Sequence, residues 1–299
     1  MIKSIRPETV NIEAIKYAAI QTVDISLLRL DKIHPVISGN KWFKLKEYLK
    51  LAIEGNKKGI ITFGGTWSNH IVATACATRS AGLSSIGIIR GEEPATFSQT
   101  LQDAQAFGMD LRFLNRAAFR EASKAPDTFL PETNDWMVVP EGGKGESGVA
   151  GASSILDLVP DLDMYTHICC AVGTGTMLAG LTNAARPWQK LIGISSLKGE
   201  DGLTAAVSAM LKPGAARFSI FFDYHFGGYA KHPPALVDYM NQFFRQTRIP
   251  TDIVYTSKLL FGIEQLLHSG YFPENSKVLV IHSGGLQGNR SLKAGELIF

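Results

Sequence analysis

The sequence predicts an α/β protein with mostly parallel sheets, divided into two domains. Short apolar runs of strand length alternate with segments of helical periodicity along most of the chain, which is typical of βαβ units. A chain of 299 residues, 45% of them hydrophobic, can bury one large core or two modest ones, and its length favours two domains. No repeat of fixed period and no low-complexity linker interrupts the alternation.

The predicted elements follow one another in a regular order after a mixed segment at the start of the chain. We predict strands over 25–30, 60–63, 85–89, 111–114, 136–139, 168–172, 191–195, 217–221 and 277–281. We predict helices that run from Lys41 to near Gly55 and over 68–80, 96–107, 117–123, 149–158, 236–244 and 259–267.

The composition of the chain argues against several classes of function. The formal charge of +3 is near neutral and no basic run is present, so nucleic acid is not an expected partner. The three cysteines, two of them adjacent at Cys169 and Cys170, form neither a disulfide framework nor a metal cluster, and no histidine has zinc-ligand spacing. Met1 to Val10 lack a signal-type apolar core and no apolar run has membrane-spanning length. We therefore expect a soluble, cytoplasmic protein without a bound metal.

The segment Ser38-Gly39-Asn40-Lys41-Trp42-Phe43-Lys44 combines a loop with the start of a helix. Lys41 lies at the helix head, where the N-terminal dipole disfavours its ammonium form. Lys44 lies one turn further on, and a like charge at that distance also lowers the pKa of Lys41. A lysine that is partly neutral can attack an aldehyde and hold it as a Schiff base. The alternative is a solvated, lysine-rich helix face.

Three glycine-rich turns are candidate binding loops. The turn over 64–70 either presents N–H groups to an anion or is a tight loop in which Ser68 caps the next helix. The turn over 173–180 lies between a strand and a helix, as phosphate-binding loops do. It has Leu178 where a dinucleotide fingerprint has glycine, so a single phosphate fits better than a pyrophosphate. The segment 141–148 does not match a Walker A loop and indicates a flexible domain connection.

From about Arg29 to Asn289 the sequence resembles the 1-aminocyclopropane-1-carboxylate deaminase and D-cysteine desulfhydrase family. The resemblance rests on Gly39-Asn40-Lys41, Ser68-Asn69-His70, the Glu-Gly-Gly of 141–143 and the Val-Gly-Thr-Gly-Thr of 172–176. These proteins are pyridoxal-phosphate enzymes of the tryptophan synthase β-like group, fold type II. The resemblance implies two three-layer α/β domains with the cofactor in the cleft between them. We expect a large cofactor-binding domain of residues 1–45 plus 146–299 and a small domain of residues 46–145.

The resemblance also implies roles for individual residues. The residues implied to be catalytic are Lys41, Ser68, Tyr229 and Tyr255, although a tyrosine at an arbitrary position more often packs at the edge of a core. The residues implied to bind the substrate carboxylate are Ser68, Asn69 and His70. The residues implied to contact pyridoxal 5'-phosphate are Asn40, Lys41, Asn69, Gly173, Thr174, Gly175, Thr176 and Thr256.

The leading functional prediction is β-elimination from D-cysteine, giving pyruvate, ammonia and sulfide. In the deaminases of the family a glutamate follows the second tyrosine, whereas this chain has Thr256, as the D-cysteine desulfhydrases do. Deamination of 1-aminocyclopropane-1-carboxylate is the runner-up, and a D-amino acid dehydratase or racemase is a third possibility. A nucleotide-binding oxidoreductase and a non-catalytic cofactor-binding relative stay open. A homodimer is expected because the family usually forms one.

Overall fold

A computed structural model describes residues 4–16, 22–199 and 202–299 of the chain, without the side chains of 131 and 132. The strands are β1 (Ile12–Ile15), β2 (Asp24–Arg29), β3 (Gly59–Gly64), β4 (Ser84–Arg90), β5 (Met109–Leu114), β6 (Trp136–Val139), β7 (His167–Val172), β8 (Lys190–Ser195), β9 (Arg217–Phe221) and β10 (Lys277–His282). The helices are α1 (Asn40–Glu54), α2 (Asn69–Ala81), α3 (Gln99–Ala106), α4 (Arg116–Lys124), α5 (Pro126–Phe129), α6 (Glu146–Ser153), α7 (Thr176–Ala184), α8 (Leu203–Ser208), α9 (Pro234–Thr247) and α10 (Thr256–His268).

The strands form two separate sheets. The larger sheet has the order β1-β2-β10-β7-β8-β9, and only the edge pair β1–β2 is antiparallel. The smaller sheet has the order β5-β4-β3-β6 and is entirely parallel. Central strands such as β3 and β7 are buried along their whole length, as parallel strands covered by helices on both faces must be. The predicted α/β class with mostly parallel sheets is confirmed.

Most predicted elements are found. Every predicted strand is present within two residues of its bounds, whereas β1 and the short helices α5 and α8 were not anticipated. The predicted helix over 149–158 is wrong in extent: α6 ends at Ser153, and a separate 3₁₀ turn, Leu156–Leu158, follows. Pro160 follows that turn, and helices end before a residue that precedes proline.

The smaller sheet lies within residues 59–139 and therefore falls inside the predicted small domain. The division at residues 45 and 145 itself stays a prediction, and residues 1–3, 17–21 and 200–201 of the predicted large domain lie outside the described residues. Within the described part of the chain, no helix combines the length and the apolar character needed to cross a bilayer. Cys76, Cys169 and Cys170 are free and buried.

Because neighbouring strands are parallel, their carboxyl ends meet at one edge of each sheet, which is where ligands bind in open α/β folds. In the larger sheet β7 and β10 are hydrogen-bonded neighbours. In the smaller sheet β3 and β4 are neighbours. The loops after β3, β7 and β10, the last residue of β4 and the start of α1 line the candidate site.

Candidate active site

A cavity of about 410 Å³ opens at the carboxyl ends of the strands, within the size range of small-molecule sites. It brings together residues that are far apart in the sequence. Of the predicted site residues, those that line it are Asn40, Lys41, Ser68, Asn69, His70, Gly173, Thr174, Gly175, Tyr229 and Tyr255. Thr176 and Thr256 are buried behind its wall.

Lys41 lies in the first turn of α1 and reaches into the cavity. Its Nζ donates to Asn40 Oδ1 at 2.8 Å and lies 5.8 Å from the centre of the Tyr255 ring. Burial lowers the pKa of Lys41 to about 8, while the charge of Asp252 opposes that shift. Desolvation is thus the main cause of the shift, ahead of the dipole and the neighbouring charge that the sequence suggested.

Lys44 also lines the cavity, one turn after Lys41. Its stem packs against Gly143, so it contacts the segment that joins β6 to α6. Burial, followed by the charge of Lys41, lowers the pKa of Lys44 to about 7. The lysine-rich face of α1 is therefore not uniformly solvated: Lys44 is buried, whereas Lys50 is exposed.

The loop from β3 to α2 places Ser68 and Asn69 at the cavity wall. Ser68 Oγ accepts from the backbone N–H of His70 at 3.3 Å, so Ser68 is the N-cap of α2 as well as a cavity residue. Asn69 Nδ2 donates to the Gly285 carbonyl oxygen at 3.1 Å. Asn69 Oδ1 is buried and has no hydrogen-bond partner among the described residues. A buried acceptor without a partner calls for a donor from a ligand or water.

His70 points into the protein more than toward the solvent. The Thr62 hydroxyl donates to the Val139 carbonyl oxygen at 2.8 Å and lies 2.8 Å from His70 Nε2. A hydroxyl has one proton, so we assign the proton of this contact to Nε2, which leaves Nδ1 as an unprotonated acceptor. Nδ1 is buried without a partner in the described part of the chain. Burial, followed by the charges of Lys41 and Lys44, lowers the pKa of His70 to about 3.

The loop from β7 to α7 begins at Gly173 and ends at Gly175, which caps α7 with φ of +78°. Backbone N–H groups at such a helix start are directed at an anion. A Cβ at Gly173 would lie 3.1 Å from the Tyr255 ring, so the loop and that ring pack closely. The Thr174 hydroxyl lies 3.0 Å from that of Thr176.

The two predicted tyrosines meet at the cavity. The rings of Tyr229 and Tyr255 pack edge to face with centroids 6.2 Å apart. Burial raises the pKa of both phenols, so both keep their protons at neutral pH. The loop that carries Tyr229 is anchored by Lys258, which is fully buried and donates to the Gly228 carbonyl oxygen at 2.7 Å.

The Thr256 hydroxyl is hydrogen-bonded to the carboxylate of Asp252, a residue that the sequence did not indicate as important. The Thr256 hydroxyl donates to Asp252 Oδ1 at 2.7 Å and accepts from the Asp252 N–H at 2.7 Å. Asp252 also accepts from the backbone N–H groups of Val254, Tyr255 and Thr256. Asp252 is fully buried and does not line the cavity. Ser283, which follows β10, does line the cavity.

A family model described as "Pyridoxal-phosphate dependent enzyme" matches residues 12–284 of the chain. The chain belongs to this family of pyridoxal-phosphate-dependent enzymes. Membership settles the cofactor as pyridoxal phosphate and the architecture as the fold type II, tryptophan synthase β-like one. The nucleotide-binding oxidoreductase alternative is therefore wrong.

Individual relatives agree with this assignment. A Pyrococcus horikoshii protein named "Putative 1-aminocyclopropane-1-carboxylate deaminase" is 26% identical over 285 residues, covering 89% of this chain and 85% of its own. A Thermotoga maritima protein of the same name is 26% identical, covering 89% of both chains. A crystal structure titled as an "ACC deaminase homologue" superposes with a TM-score of 0.74 at 26% identity over 89% of this chain and 86% of its own.

More distant structures share the fold. An O-acetylserine-dependent cystathionine β-synthase from Helicobacter pylori superposes with a TM-score of 0.67 at 15% identity, covering 99% of both chains. A threonine deaminase from Solanum lycopersicum gives a TM-score of 0.62 at 17% identity, over 88% of this chain and 80% of its own.

The cavity fits the cofactor of this pyridoxal-phosphate family. It contains a lysine of lowered pKa at Lys41, a glycine loop at a helix start for a phosphate, and an unpartnered buried acceptor on Asn69. These features line one cavity, although the whole smaller sheet lies between Lys41 and Gly173 in the sequence.

Several cavity residues were not anticipated from the sequence. Lys44 has the position of a residue on a solvated helix face. The others are ordinary residues at the end of a strand or in a loop, namely Trp67, Arg90, Glu141, Leu197 and Ser283. Position at the carboxyl end of a parallel strand is the signal that could have found Arg90 and Ser283, which end β4 and follow β10.

Proposed function

We propose that this pyridoxal-phosphate enzyme eliminates the β-substituent of a small D-amino acid such as D-cysteine, giving pyruvate, ammonia and sulfide. The proposal is supported by the resemblance of the chain to the D-cysteine desulfhydrases at Thr256. It is also supported by the composition of the cavity lining, which includes two lysines, Lys41 and Lys44, and the hydroxyl residues Ser68, Thr174 and Ser283.

The observation that carries the proposal is the hydrogen bonding of Asp252. A carboxylate has about four acceptor sites, and Asp252 receives three backbone N–H groups and the Thr256 hydroxyl. It has no site left to hold a proton on a cofactor ring nitrogen. Among the described residues, Glu141 is the only carboxylate that lines the cavity, and its side chain is 44% exposed.

When bound, the cofactor supplies an electron sink for cleavage at the substrate α-carbon, and that sink is strongest when the ring nitrogen is protonated. Lys41 would hold the cofactor aldehyde, and the Gly173–Gly175 loop would hold the cofactor phosphate. Asn69 Oδ1 would accept a hydrogen bond from a donor on the cofactor ring. The hydroxyl of Thr256 is already used by Asp252, so the partner left for the ring nitrogen is Ser283, a neutral hydroxyl. A thiolate is a good leaving group and demands less of the sink than opening a carbon–carbon bond does.

The chain's own groups would carry the proton transfers. Lys41 has a pKa of about 8, so near neutral pH it can take a proton from the substrate α-carbon once it is displaced from the cofactor. Ser68 and the N–H groups at the start of α2 would hold the substrate carboxylate. Tyr229 and Tyr255 stay protonated because burial raises the pKa of both phenols, so either can donate to the departing sulfur.

The second candidate is deamination of 1-aminocyclopropane-1-carboxylate, because the relatives from Pyrococcus horikoshii and Thermotoga maritima have that name. The two candidates are separated by assaying sulfide and pyruvate from D-cysteine beside 2-oxobutanoate from the cyclopropane acid. We expect D-cysteine to be the better substrate. Faster turnover of the cyclopropane acid contradicts the proposal, and a yellow protein inert toward all D- and L-amino acids identifies a non-catalytic relative.

We also propose a homodimer and the two-domain division at residues 45 and 145. The homodimer is checked by light scattering of the purified protein, for which a mass of twice 32.5 kDa is expected. The domain division is checked by limited proteolysis, which should cleave first at the glycine-rich segment 141–148.

A further inference from the structure

Arg90 is the last residue of β4 and lines the cavity at its open side. Its guanidinium lies over the Phe119 ring, 5.5 Å from the centroid. A Cβ placed on Gly65 would lie 3.6 Å from an Arg90 terminal nitrogen, so the guanidinium is adjacent to the loop that carries Ser68. The Phe119 ring and this loop together hold the charged group at the rim of the cavity.

The N–H donors of Arg90 form no hydrogen bond with any other residue that the structure describes. Its closest charge partner is Glu141, with 3.8 Å between Arg90 Nη1 and Glu141 Oε1. That separation is longer than a hydrogen bond. In the described part of the chain no hydrogen bond of the Arg90 guanidinium is formed. Both side chains are 44% exposed, so an anion that enters the cavity can reach the guanidinium.

Other cavity residues already have roles in the proposed function, where Lys41 and the Gly173–Gly175 loop hold the cofactor and Ser68 holds the substrate carboxylate. Among the cavity residues, the side chains of Trp67, Tyr229 and Arg90 are 41%, 50% and 44% exposed, and we call these three side chains the rim. A β-substituent that extends from the interior toward the solvent passes this rim.

We propose that Arg90 selects amino acids whose β-substituent carries a negative charge, such as a sulfate or phosphate ester of serine. This inference rests on the proposed elimination and specifies its substrate class. The planar fork of an arginine matches two oxygens of such an ester with parallel N–H donors. Glu141, whose carboxylate lies 3.8 Å from the Arg90 guanidinium, opposes anion binding by its own charge.

Besides the amino acid, the reaction consumes only water. The α C–H bond breaks and its proton passes to Lys41. The bond from the β-carbon to the ester oxygen breaks, and its electron pair leaves with the sulfate or phosphate. The released 2-aminoacrylate takes up water and yields pyruvate and ammonium, so nothing is oxidised or reduced overall.

The test compares two D-serine esters that differ in charge, D-serine O-sulfate and O-acetyl-D-serine. The measured quantity is the ratio of kcat/KM for the sulfate to kcat/KM for the acetate in the holoenzyme. We expect the wild-type ratio to favour the sulfate and Arg90→Gln to lower the ratio by about tenfold or more, because hydrogen bonds to charged groups are among the strong ones. Arg90→Lys, which keeps the charge without the fork, should give an intermediate ratio.

Two variants serve as controls. Arg112→Gln removes an arginine of the neighbouring strand β5 that is 38% exposed, pairs with Asp110 and does not line the cavity, so the ratio should keep its wild-type value. Glu141→Gln should change the ratio in the opposite direction, toward the sulfate. An unchanged ratio in Arg90→Gln overturns the proposal. An equal loss for both esters also overturns it, since Arg90 would then bind the α-carboxylate.

A binding measurement separates this inference from the proposed function. If the protein turns over neither D-cysteine nor the two esters, the elimination activity is wrong, and affinities of two unreactive analogues decide the role of Arg90. D-2-amino-3-phosphonopropionate and D-norvaline are titrated while the absorbance of the bound cofactor is followed. A preference for the phosphonate that is lost in Arg90→Gln supports the selection of an anionic substituent, and a preference that persists overturns it.

Discussion

The backbone N–H of Asn40 donates to the carbonyl oxygen of Ser283 across 3.2 Å. This bond joins the first residue of α1 to the loop after β10. Gly39 makes the approach possible, because it has φ of +65° and any Cβ there would overlap the Ser283 carbonyl. Lys41 follows directly, so the placement of the candidate catalytic lysine depends on this contact.

Gly39→Ala is therefore expected to destabilise the fold and weaken cofactor binding. Gly82→Ala is the matched control, since Gly82 has φ of +72° with no atom near its Cβ position. The control should lose about 1–2 kcal/mol from the left-handed conformation alone. Gly39→Ala should lose at least about 2 kcal/mol more because overlap with the backbone adds to that cost. Urea unfolding measures both, and equal losses would show that the contact with Ser283 is unimportant.

The next prediction concerns which lysine carries the cofactor. Lys41→Ala should remove the yellow absorbance and all turnover, whereas Lys44→Ala should keep the absorbance. Both lysines line the cavity and both have a lowered pKa, so neither exposure nor acidity distinguishes them. Borohydride reduction followed by peptide mapping makes the distinction, and a modified peptide that carries the label on Lys44 would refute the assignment.

The lowered pKa values predict a pH dependence of stability in the cofactor-free protein. Lys44 titrates at about 7 in the folded chain against an ordinary value of 10.5. Between these values the unfolded chain holds a proton that the folded chain has released, so the free energy of unfolding rises with pH across that window.

Lys44→Met should remove this contribution. The free energy of unfolding of the wild type minus that of Lys44→Met should therefore increase as the pH rises from about 7 to 10.5. Lys50→Met, on the same helix but 63% exposed, is the control and should show no such trend. A difference that stays flat or falls with pH contradicts the burial of a neutral lysine.

Ser68 should contribute to both stability and catalysis. Ser68→Ala removes the cap of α2, which costs about 1 kcal/mol of stability. It also removes a hydrogen bond to the substrate carboxylate, worth about 1.5–3 kcal/mol, so kcat/KM should fall by roughly one to two orders of magnitude.

Asn115→Ala isolates the two effects. Asn115 caps α4 by accepting from the Ala118 N–H at 2.9 Å and does not line the cavity. It should show a similar loss of stability with wild-type kinetics. If Ser68→Ala also keeps kcat/KM within a factor of about two, Ser68 is a helix cap and nothing more.

The sequence was sufficient to predict the helices and strands, and to predict the loops in which glycines follow the end of a strand. The alternation of buried strands and helices appears directly in the hydrophobic pattern, and Gly173 to Gly175 follow a strand that is buried throughout. The functional reading of Lys41 and Gly173 as one site came from the family resemblance, because spacing along the chain does not show that α1 and the β7 loop meet.

What the sequence could not supply depends on contacts between distant segments. Asp252 is one aspartate among many until its four hydrogen bonds are seen, and they change how Thr256 is understood. Arg90 looks like a polar residue that ends a strand, and only the fold places it at the cavity rim. Lys44 has the spacing of a surface residue on α1 but is buried by Gly143 and its surroundings.

Arg90 belongs to the smaller sheet, whereas the phosphate loop and Ser283 belong to the larger one. A lineage of such proteins can therefore acquire a new substrate by replacing one or two residues at the rim without disturbing the groups that retain the cofactor. Divergence of specificity in this fold does not require the reaction to be invented again.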